Sequence, residues 1–116
     1  MTYSVFIDGA AGTTGLQVHD RLQKRIELSV YVLDDQQRKD ADARAKAMAD
    51  ADVTILCLPD KAAIQAAQMA KVSGARLIDA SSAHRTAKDF TYGFAEMTQG
   101  QQDAIRSAQL VSNPGC

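Results

Sequence analysis

The chain has 116 residues, 46% of them hydrophobic, with 13 basic side chains against 14 acidic ones and a formal net charge of −1. This is a globular composition, long enough for one domain with its own core, and it lacks the basic excess that a nucleic-acid backbone calls for. No apolar run approaches the roughly 18 residues of a spanning helix, and the N-terminus has no signal-peptide pattern. Neither nucleic acid nor membrane is therefore an expected partner, and a cytoplasmic setting is expected. Cys57 and Cys116 stand in unrelated settings and suggest no framework of disulfides.

Residues Tyr3 to Asp8 alternate around Val5, Phe6 and Ile7 and run into Gly9, which predicts a strand ending in a glycine turn. Leu16, Val18, Leu22 and Ile26 recur at near-helical spacing, so a helix is expected from Thr13 to about Arg25. A second strand pattern, Leu28 to Leu33, closes on Asp34 and Asp35, and the alanine-rich stretch Ala41 to Ala51 has helical propensity. Val53 to Leu58 is almost continuously apolar, the mark of a strand buried on both faces, and Pro59 stops it.

Asp60 stands where an N-cap is expected, ahead of a helix over Lys61 to Val72 whose buried face would include Ala63, Ile64, Ala67 and Met69, and Gly74 ends that helix. Arg76 to Ala80 reads as a fourth strand, and Ser81 to Glu96 as a long polar loop of the kind that is often functional. A last helix, Gln99 to Ala108, and a last strand, Gln109 to Ser112, lead into the ending Asn113, Pro114, Gly115, Cys116. Strands alternating with helices imply an α/β fold: a doubly wound parallel sheet, a Rossmann-like dinucleotide-binding domain.

Between the first strand and the first helix lies GAAGTTG, carrying Gly9, Gly12 and Gly15 with Thr13 and Thr14. Glycines there allow a tight turn, close approach of backbone N–H groups to a pyrophosphate and tight helix–strand packing, while the helix N-terminus attracts negative charge. The spacing is GxxGxxG and not GxGxxG, so position carries the reading more than pattern. Asp34 and Asp35 occupy the position that binds the ribose hydroxyls of NAD, and Arg38 and Lys39 directly after them could accept the 2′-phosphate of NADP. These local residues leave the choice between the two open.

Cys116 follows a strand end and a Pro-Gly turn, at the edge where doubly wound sheets place ligands. Beside a dinucleotide loop, a thiol suggests acyl transfer: a thioester forms on sulfur and accepts hydride to give an aldehyde. GAAGTTG, LPD at 58–60, DASSAHR at 79–85, YGFAEM at 92–97 and NPGC at 113–116 together resemble the N-acetyl-gamma-glutamyl-phosphate reductases of arginine biosynthesis, in the shorter type 2 branch.

The resemblance implies roles residue by residue. Cys116 matches the nucleophile that attacks the acyl phosphate; Gly9, Gly12, Thr13, Thr14 and Gly15 match the pyrophosphate loop; Pro59, with Leu58, lies near the cofactor path. Asp79, Ser81 and Arg85 match a D-x-S-x-x-x-R pattern in which Arg85 pairs with a substrate phosphate or carboxylate. Asn113 is expected near the reacting carbonyl or simply in the turn. NADP(H) is the implied cofactor, a small-molecule acyl phosphate the substrate, a homo-oligomer the intact form, and no metal is expected. Residues 1–116 are then expected to be the NADP-binding domain, inactive alone, with a substrate and dimerisation domain bearing the acid/base histidine beyond Cys116. A related acyl-phosphate reductase of lysine biosynthesis, or a non-catalytic dinucleotide-binding module, are the alternatives. His84 is expected to be a surface or loop histidine, His19 a partly exposed structural one and Cys57 a small hydrophobe inside a strand; Glu96 matches a family position without an assigned role.

Overall fold

A computed structural model describes residues 2–114. Six parallel strands form one sheet: β1 (Tyr3–Asp8), β2 (Leu28–Tyr31), β3 (Val53–Leu56), β4 (Leu77–Asp79), β5 (Thr91–Tyr92) and β6 (Leu110–Ser112), in the order β2-β1-β3-β4-β6-β5. The helices are α1 (Thr13–Gln23), α2 (Ala41–Asp50), α3 (Asp60–Ser73) and α4 (Gln101–Ser107), with a 3-10 turn at Gln37–Lys39. This is the doubly wound α/β architecture that the alternation of patterns predicts. The chain leaves β1 toward β2 on one side and then crosses back to β3 on the other, so strand order reverses between β1 and β3, where such sheets bind ligands.

Right-handed crossovers place α2 and α3 on one face and α1 and α4 on the other. The core lies under α2 and α3. Phe6, Leu56 and Leu77 from the strands meet Met48 of α2 and an alanine stripe, Ala63, Ala66, Ala67 and Ala70, of α3. Small residues at i, i+3, i+4 and i+7 let α3 lie close on the sheet. On the opposite face α1 buries only Gly15, and α4 buries no residue.

Several local expectations change. Asp60 does not cap α3; Pro59 occupies the N-cap position, and the Asp60 carboxylate reaches Ser82 instead. Ile64 is exposed, because the alanine stripe faces the core in its place. β3 alternates in burial and ends at Leu56, so Cys57 lies just beyond the strand and is only half-buried. The segment 81–96 is not all loop: Thr91 and Tyr92 pair with Val111 and Ser112 as the edge strand β5. No helix among the described residues is long and apolar enough to cross a membrane.

Candidate functional site

The glycine loop is shaped by contacts that leave no room for a side chain. Gly9 has φ +91°, and a Cβ there would stand 2.3 Å from the Cys57 carbonyl oxygen; a Cβ on Gly15 would stand 2.2 Å from the Gly9 carbonyl oxygen. These two glycines let the loop close on β3 and let α1 begin tight against it. Gly12 differs: the nearest atom to its Cβ would be 3.7 Å away, an ordinary contact, so the fold itself accepts a side chain there. Gly12 is the N-cap of α1, with no side-chain cap and no acidic residue in the first turn. The N–H groups of this first turn have no partner within the helix and face outward with the positive end of its dipole. Thr13 and Thr14 are exposed beside them.

Two hollows meet along this edge, sharing Leu58. One, of about 250 Å³, is bordered by Gly12, Thr13, Thr14, Cys57, Pro59 and Ala80. The other, of about 400 Å³, opens over the ends of β1 and β2, with Gly9, Leu16 and Val32 on its walls and Arg38, Lys39 and Arg44 among its charges. Asp34 does not border that hollow; its Oδ1 accepts the Gln36 and Gln37 N–H groups at 3.1 and 2.7 Å and so caps the turn. Asp35 is exposed, with Oδ1 3.4 Å from Arg38 Nε. Arg44 donates to Oδ2 of buried Asp8 from Nη2 at 2.7 Å and from Nε at 3.1 Å. This pair ties α2 to the end of β1. An aspartate closing an otherwise apolar strand is the sequence signal for it, since a buried carboxylate needs a partner.

Across the switch point, Asp79 ends β4 fully buried. Its carboxylate accepts the Ser81 N–H and hydroxyl, both at 2.9 Å, and His84 Nδ1 at 2.5 Å. The Ser81 hydroxyl in turn accepts the Ala83 N–H at 3.2 Å. Asp60 accepts the Ser82 N–H and hydroxyl at 3.0 and 2.6 Å, and that hydroxyl above all, with the Ser82 N–H and the nearby Arg85 charge, holds the Asp60 carboxyl below its usual range. His84 is buried, not at the surface, and stacks on Phe90 with ring centroids 4.1 Å apart at 14°.

Arg85 follows, partly buried, and its Nε is enclosed without a hydrogen-bond partner among the described residues. The Asn113 N–H donates to the Asp79 carbonyl at 2.8 Å, which brings the segment after β6 to the same edge. Cys116 lies outside the described residues. Burial, followed by the Asp8 and Asp79 carboxylates, pushes the Cys57 thiol up to about 11, so it is not a ready thiolate. His19 is half-buried on the wall of the larger hollow, and Glu96 is exposed.

The family described as semialdehyde dehydrogenase, NAD binding domain, matches residues 33–108. That span starts after the glycine loop, which therefore stands as a separate observation. Among similar chains, an N-acetyl-gamma-glutamyl-phosphate reductase 2 from a Nostoc species is 51% identical over 112 residues, covering 97% of this chain and 35% of its own length. An N-acetyl-gamma-glutamyl-phosphate reductase from Allorhizobium ampelinum is 48% identical over 117 residues, covering 100% of this chain and 38% of the relative. The chain thus spans little more than a third of the relatives it matches. Among solved structures, aspartate semialdehyde dehydrogenase II from Vibrio cholerae superposes with a TM-score of 0.76 at 17% identity, over 98% of this chain and 38% of that one. At that identity the likeness is one of fold.

Proposed function

Because the chain belongs to the family of semialdehyde dehydrogenase NAD-binding domains, we propose that it is the dinucleotide-binding part of an N-acetyl-gamma-glutamyl-phosphate reductase and takes NADP(H). The observation that carries this reading is the 51% identity with a reductase of that name over 112 residues. A substrate and dimerisation domain then follows residue 116, and the intact protein is a cytoplasmic homo-oligomer.

The residues present fit a dinucleotide. Gly9 and Gly15 bring the backbone close, Gly12 leaves an open approach, and the uncapped start of α1 presents N–H groups to a pyrophosphate. Thr13 and Thr14 add hydroxyl donors at this loop, and Pro59 borders the same hollow at the start of α3. Arg38 and Lys39 border the larger hollow and would hold a ribose 2′-phosphate, Arg38 exchanging its 3.4 Å contact with Asp35 for it, which supports NADP(H). When bound, the cofactor supplies the hydride.

Cys116 is the nucleophile. Its thiolate attacks the acyl carbon, the C–O bond to phosphate breaks and inorganic phosphate leaves, giving a thioester. Hydride supplied to that carbon would give a thiohemiacetal anion, whose collapse would break the C–S bond, return the thiolate and release N-acetylglutamate 5-semialdehyde. Arg85, whose Nε has no partner among the described residues, holds the phosphate of the substrate. Ser81 shapes the turn that carries it and borders the substrate, and Asn113 orients the carbonyl next to Cys116.

NADPH oxidation with N-acetyl-gamma-glutamyl phosphate tests this in the full-length protein. Cys116→Ser is expected to abolish turnover and leave NADPH affinity unchanged. Turnover that survives the substitution overturns the covalent mechanism.

A further inference from the structure

The chemistry just described makes no use of His84, yet this histidine is 7% exposed in an irregular loop and meets a carboxylate that is 0% exposed. Facing Asp79 Oδ2 at 2.5 Å, Nδ1 carries the proton and donates it. The stack on Phe90 fixes the plane of the ring. From Asp79 to His84 the polar side chains are hydrogen-bonded: Ser81 and His84 on Asp79, Ser82 on Asp60. At Arg85 the pattern stops, with a buried Nε that finds no acceptor among the described residues. A buried donor without a partner is costly unless a ligand satisfies it. The saturated run therefore ends on a donor that the described residues leave unmet, as they do the Thr54 and Ser112 hydroxyls.

We infer that His84 is a positioning residue, which through Asp79 fixes the loop so that the Arg85 guanidinium is aimed at the phosphate of the substrate. This rests on the reading of Arg85 as an anion-binding group. Asp79 sits at the centre of the arrangement, because its carboxylate anchors the Arg85 loop and its carbonyl anchors Asn113. Loss of the His84 donor leaves a buried carboxylate short of a partner and frees the residue adjacent to Arg85.

The test is calorimetric titration of the full-length protein, saturated with NADPH, with inorganic phosphate as the probe. His84→Phe keeps a ring to stack on Phe90 and removes the donor; His84→Asn loses the ring and places an amide N–H near the Nδ1 position. His84→Phe is expected to weaken phosphate binding about tenfold with NADPH affinity unchanged, and His84→Asn to stay within about twofold of wild type. Should His84→Phe fail to fold by circular dichroism, His84→Gln takes its place, since it sends its donor toward the Nε2 position and is expected to bind phosphate weakly. Wild-type phosphate affinity in a folded His84→Phe or His84→Gln, or a loss in His84→Asn as large as theirs, overturns the inference. Arg85→Ala separates the two levels. If it loses phosphate while His84→Phe does not, the positioning role falls and the anion-binding reading stands; if Arg85→Ala binds phosphate normally, both fall.

Discussion

Between Gly9 and Gly15 the chain is shaped by missing side chains, whereas between Asp79 and Arg85 it is shaped by side-chain hydrogen bonds. Both loops leave the carboxyl edge of the same sheet, and Ala80 borders the same hollow as Gly12, Thr13 and Thr14. The first presents backbone N–H groups, which suit any pyrophosphate and owe their direction to the start of a helix. The second carries the Arg85 guanidinium directly after a run of hydrogen bonds among Asp79, Asp60, Ser81, Ser82 and His84. A backbone cradle fails when a methyl group is added; a side-chain scaffold fails when a donor or acceptor is removed. That contrast sets what substitutions on each side should do.

The largest effect is expected at Gly15. A Cβ 2.2 Å from the Gly9 carbonyl forces backbone to move, so Gly15→Ala should cost about 4 kcal/mol of stability in urea unfolding. Asp79→Ala should follow at about 3 kcal/mol, as His84 and Ser81 lose a buried acceptor. Equal tolerance of both changes would remove the difference between cradle and scaffold.

Binding effects come next in size. Replacing Arg38 and Lys39 together by alanine should weaken NADPH about thirtyfold in fluorescence titrations and leave NADH nearly unchanged, because the charge-assisted contacts to a 2′-phosphate are lost. Gly12→Ala should change stability by no more than about 0.5 kcal/mol and yet weaken NADPH about tenfold, since its methyl group meets the cofactor and not the fold.

The smallest effect concerns Cys57. With its thiol pushed up to about 11 from an ordinary value of 9.0, the folded protein holds that proton more tightly than the unfolded chain does. Its contribution to stability is therefore full below pH 9 and is lost as pH rises toward 11. Alkylation of Cys57 should be slow at pH 8 and accelerate only above pH 10, followed by mass spectrometry; rapid modification at pH 8 would show that burial does not protect it.

Most of the architecture was legible because it rests on local pattern. The glycine turn between β1 and α1, the apolar run of β3 and the alanine-rich α3 each signal themselves within a dozen residues. What escaped depends on partners far along the chain. Two residues of β5 show no periodicity, and they become a strand only by pairing with β6. Asp60 reads as a cap because helix-start residues are short and polar, but its acceptor is taken by Ser82, 22 residues away. His84 reads as a surface or loop histidine; it does lie in a loop, but Asp79 and Phe90 pack against it and bury it. The Asp8–Arg44 pair carries no local signal for the same reason, its members being separated by 36 residues. At the site, the glycine loop was readable from spacing and context, whereas the scaffold under Arg85 required the fold.

The most direct test of a divided edge is a pair of calorimetric titrations, NADPH and then inorganic phosphate on the NADPH-saturated full-length protein, in Gly12→Ala and Arg85→Ala. Gly12→Ala should lose affinity for NADPH and keep it for phosphate once saturated, while Arg85→Ala should keep NADPH and lose phosphate. If both variants weaken the same ligand, or neither weakens its own, the two loops do not divide the work as described.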